Sequence, residues 1–163
     1  MSDAVVAWRI AAQTRDRRAN DLSGNGSARY PGRWNESGQR VVYAASTLAL
    51  AVLETAAHVN PLGLPLDRFV VRIEIPKAVF ARHEALEATA LDPAWSAIPA
   101  GRASVEAASA WYRRGGSAVL LAPSVIVPEE RVVLINATHP DAAKIKAFVQ
   151  RPFHYASIFR PPA

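Results

Sequence analysis

The chain contains no cysteine. That excludes disulfide staples and thiolate metal sites, and it fits a cytoplasmic protein held in a reducing compartment. The four histidines are scattered without ligand spacing, so no zinc site and no metal cofactor is expected. Long apolar runs are missing as well. Nothing approaches the roughly 20 residues that a bilayer-spanning helix needs, and no membrane association is expected. The opening stretch, MSDAVVAWRIAAQTRDRR, lacks the early basic segment and long apolar core of a secretory signal. Internal repeats and long linkers are absent too. The 163 residues therefore read as one domain, 1–163, large enough to bury its own core.

What is present is an ordinary soluble composition, 50% hydrophobic and 20% charged, with a net charge of +5. A basic balance points to an anionic partner, whether nucleic acid, a phosphate-rich substrate or an acidic protein, or to a soluble basic surface and no more. The arginines are dispersed: Arg15, Arg17 and Arg18 form one group, and Arg113 and Arg114 another. Dispersion argues against a simple nucleic-acid-binding arm. No reading helix, paired RNA-binding aromatics or zinc module appears either, so direct nucleic-acid binding is not expected.

The hydrophobic pattern predicts strands at Ala4–Ala12, Arg40–Ala44, Phe69–Ile75, Ala118–Leu121 and Arg131–Asn136. Pro76 is expected to stop the third of these. Helices are predicted from Ser46, as N-cap, to about His58, from Ser104 to Arg114, and over Ala142–Val149. Leu22–Pro31 reads as a loop and Leu86–Gly101 as irregular. The aromatic, basic tail RPFHYASIFRPP, within 150–163, either packs on the domain or meets a partner. The class is α+β, with central mixed β-sheets and flanking helices.

The stretch LALAVLETAAH, Leu48 to His58, carries one carboxylate in an otherwise apolar helix, and no other side chain between Arg40 and His58 is charged. Glu54 has Leu50, Ala51, Ala57 and His58 one turn away. It is either a solvated acid paired with His58, or a functional carboxylate at the edge of a buried face. Upstream lies Tyr30-Pro-Gly-Arg-Trp-Asn35. A glycine there lets backbone approach a ligand, and Arg33 offers a planar fork suited to a pyrophosphate. On the plain reading, Arg33 is a surface arginine packed on Trp34. Tyr43, at a strand end, is either a core aromatic or a platform for a flat ring. Ser124, in Leu121-Ala-Pro-Ser-Val, has no GxSxG context, so a substrate hydrogen bond is more economical than a nucleophile. Ser117 is its competitor.

Several of these fragments resemble the RES domain. They are G-R-W-N at Gly32–Asn35, V-V-Y at Val41–Tyr43, S-T-L-A-L-A-V-L-E at Ser46–Glu54, Ala122-Pro-Ser124, and Leu134-Ile-Asn136-Ala-Thr-His139-Pro. The match runs from about Trp8-Arg9 to Asp141, with Pro31 and Ala137 standing where glycine and proline are usual. The resemblance implies an ADP-ribosyltransferase-like (diphtheria-toxin-like) α+β fold and the toxin half of a bacterial toxin–antitoxin pair, which consumes NAD as substrate. It assigns catalysis to Glu54, Arg33 and Tyr43. NAD binding would fall to Arg9, Arg33, Tyr43, Ser124 and Asn136. The acceptor for ADP-ribose stays open between water, phosphate and a protein target. The expected partner is an Xre-like helix-turn-helix antitoxin whose tail covers the site. A reading from another class, a non-enzymatic basic module for nucleic acid or an acidic protein, predicts salt-sensitive binding without NAD turnover.

Overall fold

The computed structural model describes residues 3–159. One mixed sheet runs in the order β4-β5-β6-β2-β1-β3-β7. Its strands are β1 (Ala4–Ala12), β2 (Val41–Ala45), β3 (Arg68–Pro76), β4 (Glu84–Ala85), β5 (Val119–Pro123), β6 (Arg131–Asn136) and β7 (Lys146–Pro152). Only β4 and β5 are parallel. The helices are α1 (Asn25–Arg29), α2 (Leu48–Ala56), α3 (Lys77–Phe80) and α4 (Arg102–Arg114). The α+β, mixed-sheet architecture is the one expected. Among the described residues no helix is long and apolar enough to cross a membrane.

The sheet is split along a seam. β1 pairs with β3 along its whole length, from Ala4↔Pro76 to Ala12↔Arg68, but with β2 through Trp8↔Ala45 alone. Side chains alternate between the two faces of each strand, and the packing divides accordingly. On one face a single cluster crosses both halves, joining Val42 and Ala44 to Ala7, Ala11, Val71 and Ile73. The other face carries two clusters. Val41, Leu120 and Leu134 pack with Trp34, Trp95 and Trp111, while Ile10 and Val70 pack with Leu50 and Ala51 of α2 and with Phe153 and Tyr155. The boundary between them follows the seam.

Local chemistry sets the element ends. Thr47, not Ser46, caps α2: its side-chain oxygen accepts from the Leu50 amide at 3.1 Å, a contact worth about 1 kcal/mol. Ser46 is still held to β6, its amide donating to the Arg131 carbonyl at 3.0 Å, so the cap falls one residue later. α2 closes at Ala56, and His58 lies in the turn beyond. α4 starts at Arg102 with Gly101 as N-cap, so Ser104 lies inside the first turn, and its buried hydroxyl has no partner among the described residues. Gly115 ends α4 at φ 63°, a conformation that favours glycine.

Other expectations are corrected outright. Ala142–Val149 is not a helix. A 3-10 turn at Pro140–Lys144 leads into β7, which covers the outer edge of β3 from Glu74↔Lys146 to Phe69↔Pro152. The unpaired amides and carbonyls of β3 demand that partner, and the demand overrides a weak local helical preference. The loop over Leu22–Pro31 contains α1, and β4 adds an unforeseen parallel strand. β3 does stop at Pro76, as expected, with Pro76 itself its last residue, opposite Ala4. The tail packs on the domain: Phe153 and Tyr155 are buried and meet edge to face at 4.9 Å. Its last residues, 160–163, lie outside the described residues.

A polar strut ties α4 to the sheet. The Trp111 indole donates to Ser117 Oγ at 3.0 Å, Ser117 donates to Glu84 Oε2 at 2.8 Å, and Arg114 donates to Glu84 Oε1 at 2.9 Å. Burial pushes the Glu84 carboxyl up, but the hydrogen bonds from Arg114 and Ser117 outweigh it and hold it below the usual range. A depressed folded-state pKa contributes stability above the unfolded value, and that stability is lost as pH falls through the folded value. Glu84→Gln is therefore expected to lower Tm at neutral pH by about 2–4 °C, the scale of a partly screened pair, and to flatten the acid limb. Thermal melts from neutral to acid pH check this. An unchanged acid limb in the variant would remove Glu84 from the pH dependence.

Candidate active site

Glu54 projects from α2 at the seam and is half-buried. It turns to Ser124 rather than to His58: Ser124 Oγ donates to Glu54 Oε1 at 2.5 Å. Ser124 is fully buried, and its oxygen also accepts from the amides of Ile126 at 3.1 Å and Val127 at 3.0 Å. A hydroxyl has one proton to give, and here two incoming amides fix the oxygen so that the proton goes to the carboxylate. The segment straddles the seam, since Val125 packs with the tryptophan cluster and Val127 with the α2 cluster. Ser124 thus sets the position of Glu54.

Arg33 reaches the same place from the turn before β2. Trp34 beside it is buried and stacks on Trp95 with ring centroids 6.0 Å apart. That contact brings the 93–97 segment over the turn. Arg33 Nη1 donates to the carbonyls of Trp95 at 2.8 Å and Ala97 at 2.9 Å, so Nε and Nη2 have no partner among the described residues. Burial pushes the guanidinium below its ordinary value, and the nearby Glu54, then Tyr43, pull it back. Arg33 remains a cation at neutral pH. Arginine, glutamate and tyrosine converge.

Tyr43 is tied to that turn through its hydroxyl, which donates to Asn35 Oδ1 at 2.6 Å and accepts from the Trp34 amide at 3.0 Å. Burial raises its pKa well above the usual phenol range, against smaller pulls from the Trp34 amide and Arg33, so the hydroxyl stays neutral. Asn35 is itself buried. Its Oδ1 also accepts from the Gly32 amide at 2.9 Å, and its Nδ2 donates to the carbonyls of Ser27 at 2.9 Å, Glu36 at 3.0 Å and Gln39 at 3.3 Å. The glycine is explained by the same anchor: a Cβ at Gly32 would lie 2.9 Å from the Tyr43 oxygen.

Other candidates lie elsewhere. Arg9 alternates with Trp8 and Ile10 on β1 and so shares the face of Ala7 and Ala11, opposite α2. Burial lowers its pKa first, and the charges acting on it are Asp21 and Arg17. Asn136 closes the turn after β6. Its Oδ1 accepts from the amide and hydroxyl of Thr138 at 3.0 and 2.6 Å, and its Nδ2 donates to the Tyr112 carbonyl at 3.4 Å. Ser117 belongs to the Glu84 strut, so of the two serines Ser124 is the one that touches Glu54. Sequence reasoning missed the carbonyls of Trp95 and Ala97 and the anchoring part played by Asn35. Asn35 stands in the quoted G-R-W-N fragment, but a backbone carbonyl leaves no signal in sequence.

Fold and site together define an α+β protein with an arginine–tyrosine–glutamate group at the seam of a split mixed sheet. Residues 6–156 match the family described as RES domain. The chain is 51% identical over 148 residues to the "Prs ADP-ribosylating toxin" of Sphingobium sp. (strain YBL2), covering 91% of this chain and 92% of that protein. It is 35% identical over 149 residues to "Toxin Res" of Pseudomonas putida (strain KT2440), covering 90% and 94%. A chain of the M. tuberculosis MbcT–MbcA toxin–antitoxin complex shares the fold, with a TM-score of 0.55 at 19% identity over 91% of this chain and 85% of that one. The chain belongs to the RES domain family.

Proposed function

We propose that this chain is the toxin of a toxin–antitoxin pair and that it cleaves the nicotinamide–ribose bond of NAD, transferring ADP-ribose to a protein. The observation that carries the reading is the Ser124-held Glu54 beside Arg33 and Tyr43. Breaking the bond sends its electron pair to the ring nitrogen, so nicotinamide leaves neutral and positive charge builds on the ribose. The Glu54 carboxylate opposes that charge and can hold a ribose hydroxyl. Arg33, whose Nε and Nη2 have no partner among the described residues, grips the pyrophosphate, and the Tyr43 ring offers a face to nicotinamide. The acceptor nucleophile then bonds to the ribose carbon and gives its proton to Glu54 or to solvent. The reading gives Arg9 and Asn136 no contact with the reacting bond.

The protein acceptor is supported by the 51% identical relative, which is named for ADP-ribosylating Prs. An antitoxin partner is supported by the toxin–antitoxin complex that shares the fold, and an Xre-like antitoxin covering the site is part of the proposal. The test uses NAD labelled in its adenylate half, with purified Prs and with a cell lysate as acceptors. Nicotinamide release together with one labelled protein band is expected. Release with every band dark would move the acceptor to water or phosphate. No release in any mixture would sink the enzyme and favour a binding module.

A further inference from the structure

The arginines of two stretches differ, with exposed Arg151, bonded to the Pro152 carbonyl and in no ion pair among the described residues, standing apart from both. All seven between positions 68 and 131 form an ion pair. Among the described residues none of the seven between positions 9 and 40 does. Arg33 belongs to the site, and Arg9, on the sheet face opposite α2, is half-buried, with Asp21 and Arg17 as the charges acting on it. The other five, Arg15, Arg17, Arg18, Arg29 and Arg40, are exposed.

These five gather around α1, a helix of five residues and hence about 7.5 Å long. The Arg17 guanidinium lies over Gly26, where an added Cβ would sit 2.8 Å from Nη1. Arg17 and Arg18 line, with Asn25, a surface hollow of about 490 Å³. Arg29 ends α1 and lies over the Tyr30 ring at 5.6 Å. The backbone of Arg40 packs against Gly24, the N-cap of α1, and Arg15 lies two residues before Arg17. Tyr30, 72% exposed, is followed directly by Pro31, Gly32 and Arg33. Along the chain, Arg29 and Tyr30 thus lead directly into the turn that presents Arg33.

Like charges held together repel one another, and a face that leaves them unneutralised is poised for an acidic partner. Two acids stand inside the patch. Asp16 lines the hollow, and Asp21 is turned to the amide and hydroxyl of Ser23 at 3.2 and 2.7 Å. Those acids oppose the uniform negative charge of a phosphate backbone, and one exposed tyrosine is no row of stacking platforms. Arginines around a single exposed aromatic are instead the composition of protein-interface anchors.

We propose that the face around α1 docks an acidic surface of the protein that receives ADP-ribose, so that electrostatic recognition beside Arg33 selects the target. The inference rests on the transfer reading given above. Its test is the triple variant Arg15→Glu/Arg18→Glu/Arg29→Glu, with folding checked by circular dichroism and Prs as the acceptor probe. Nicotinamide release without acceptor and the KM for NAD should stay within about twofold of wild type, while kcat/KM for Prs falls by about tenfold or more. Transfer by the wild type should weaken as salt is raised, and excess polyglutamate should inhibit transfer but not nicotinamide release. Unchanged transfer by the variant overturns the proposal. So does a rise in KM for NAD that matches the loss, which would make the patch a dinucleotide contact. Labelling of single-stranded DNA in place of protein overturns it too. Failure of the underlying reading is distinct, because the wild type would then release no nicotinamide, or label no protein, before any arginine is changed.

Discussion

Glu54→Gln is expected to cut nicotinamide release by about a thousandfold while leaving stability within about 1 kcal/mol of wild type. Glutamine keeps the size of the side chain and can still accept the Ser124 proton through its amide oxygen, but it carries no charge to oppose the developing ribosyl cation. α2 does not depend on that charge: its anchorage comes from buried Leu50 and Ala51 and from the Thr47 cap. Ser124→Ala separates orientation from charge. It frees Glu54 to rotate and strips the Ile126 and Val127 amides of their acceptor, at a cost of about 1–3 kcal/mol. Its kcat is expected to fall about ten- to a hundredfold, less than for the glutamine variant, because the carboxylate remains. Single-turnover nicotinamide release beside urea unfolding checks both. A Glu54→Gln enzyme that keeps about a tenth or more of its turnover would remove the carboxylate from the chemistry.

The contrast between these two residues shows what sequence carries and what it does not. Glu54 is visible because a lone acid interrupts an apolar helix. Its partner lies 70 positions away on the far side of the seam, and Ser124 in isolation looks like any serine at a turn. β3 was legible because its alternation records burial on one face, and β6 because its continuous apolar run records burial on both. β7 was not, since its residues are mostly exposed and its conformation is set by the open edge of β3. The choice of Thr47 over Ser46 depends on a backbone bond to β6, which no local pattern encodes. The RES resemblance supplied the order of the motifs. The convergence of Arg33, Tyr43 and Glu54 is a property of packing, and it needs Trp34 against Trp95 to bring two carbonyls to the guanidinium.

Asn35→Ala is expected to combine the largest loss of stability with a specific loss of substrate affinity. Removing the buried amide leaves the Ser27 and Gln39 carbonyls and the Gly32 amide without a partner, and takes one of two bonds from the Glu36 carbonyl and from the Tyr43 hydroxyl. Even with partial rearrangement the cost should reach about 3 kcal/mol or more. The turn bearing Arg33 then loses its tie to β2. KM for NAD is expected to rise about tenfold or more, with kcat less affected, as follows from the proposed grip of Arg33 on the pyrophosphate rather than on the reacting carbon. Tyr43→Phe isolates the anchor, keeping the ring and removing only the hydroxyl. Trp34's amide and Asn35 Oδ1 each lose one partner, for about 1–2 kcal/mol, and the same KM-weighted defect should appear in milder form. Were the hydroxyl a proton donor in the reaction, Tyr43→Phe would instead lower kcat with KM unchanged. Two bonds already occupy that hydroxyl, and burial keeps it neutral, so the expected order of KM is wild type below Tyr43→Phe below Asn35→Ala.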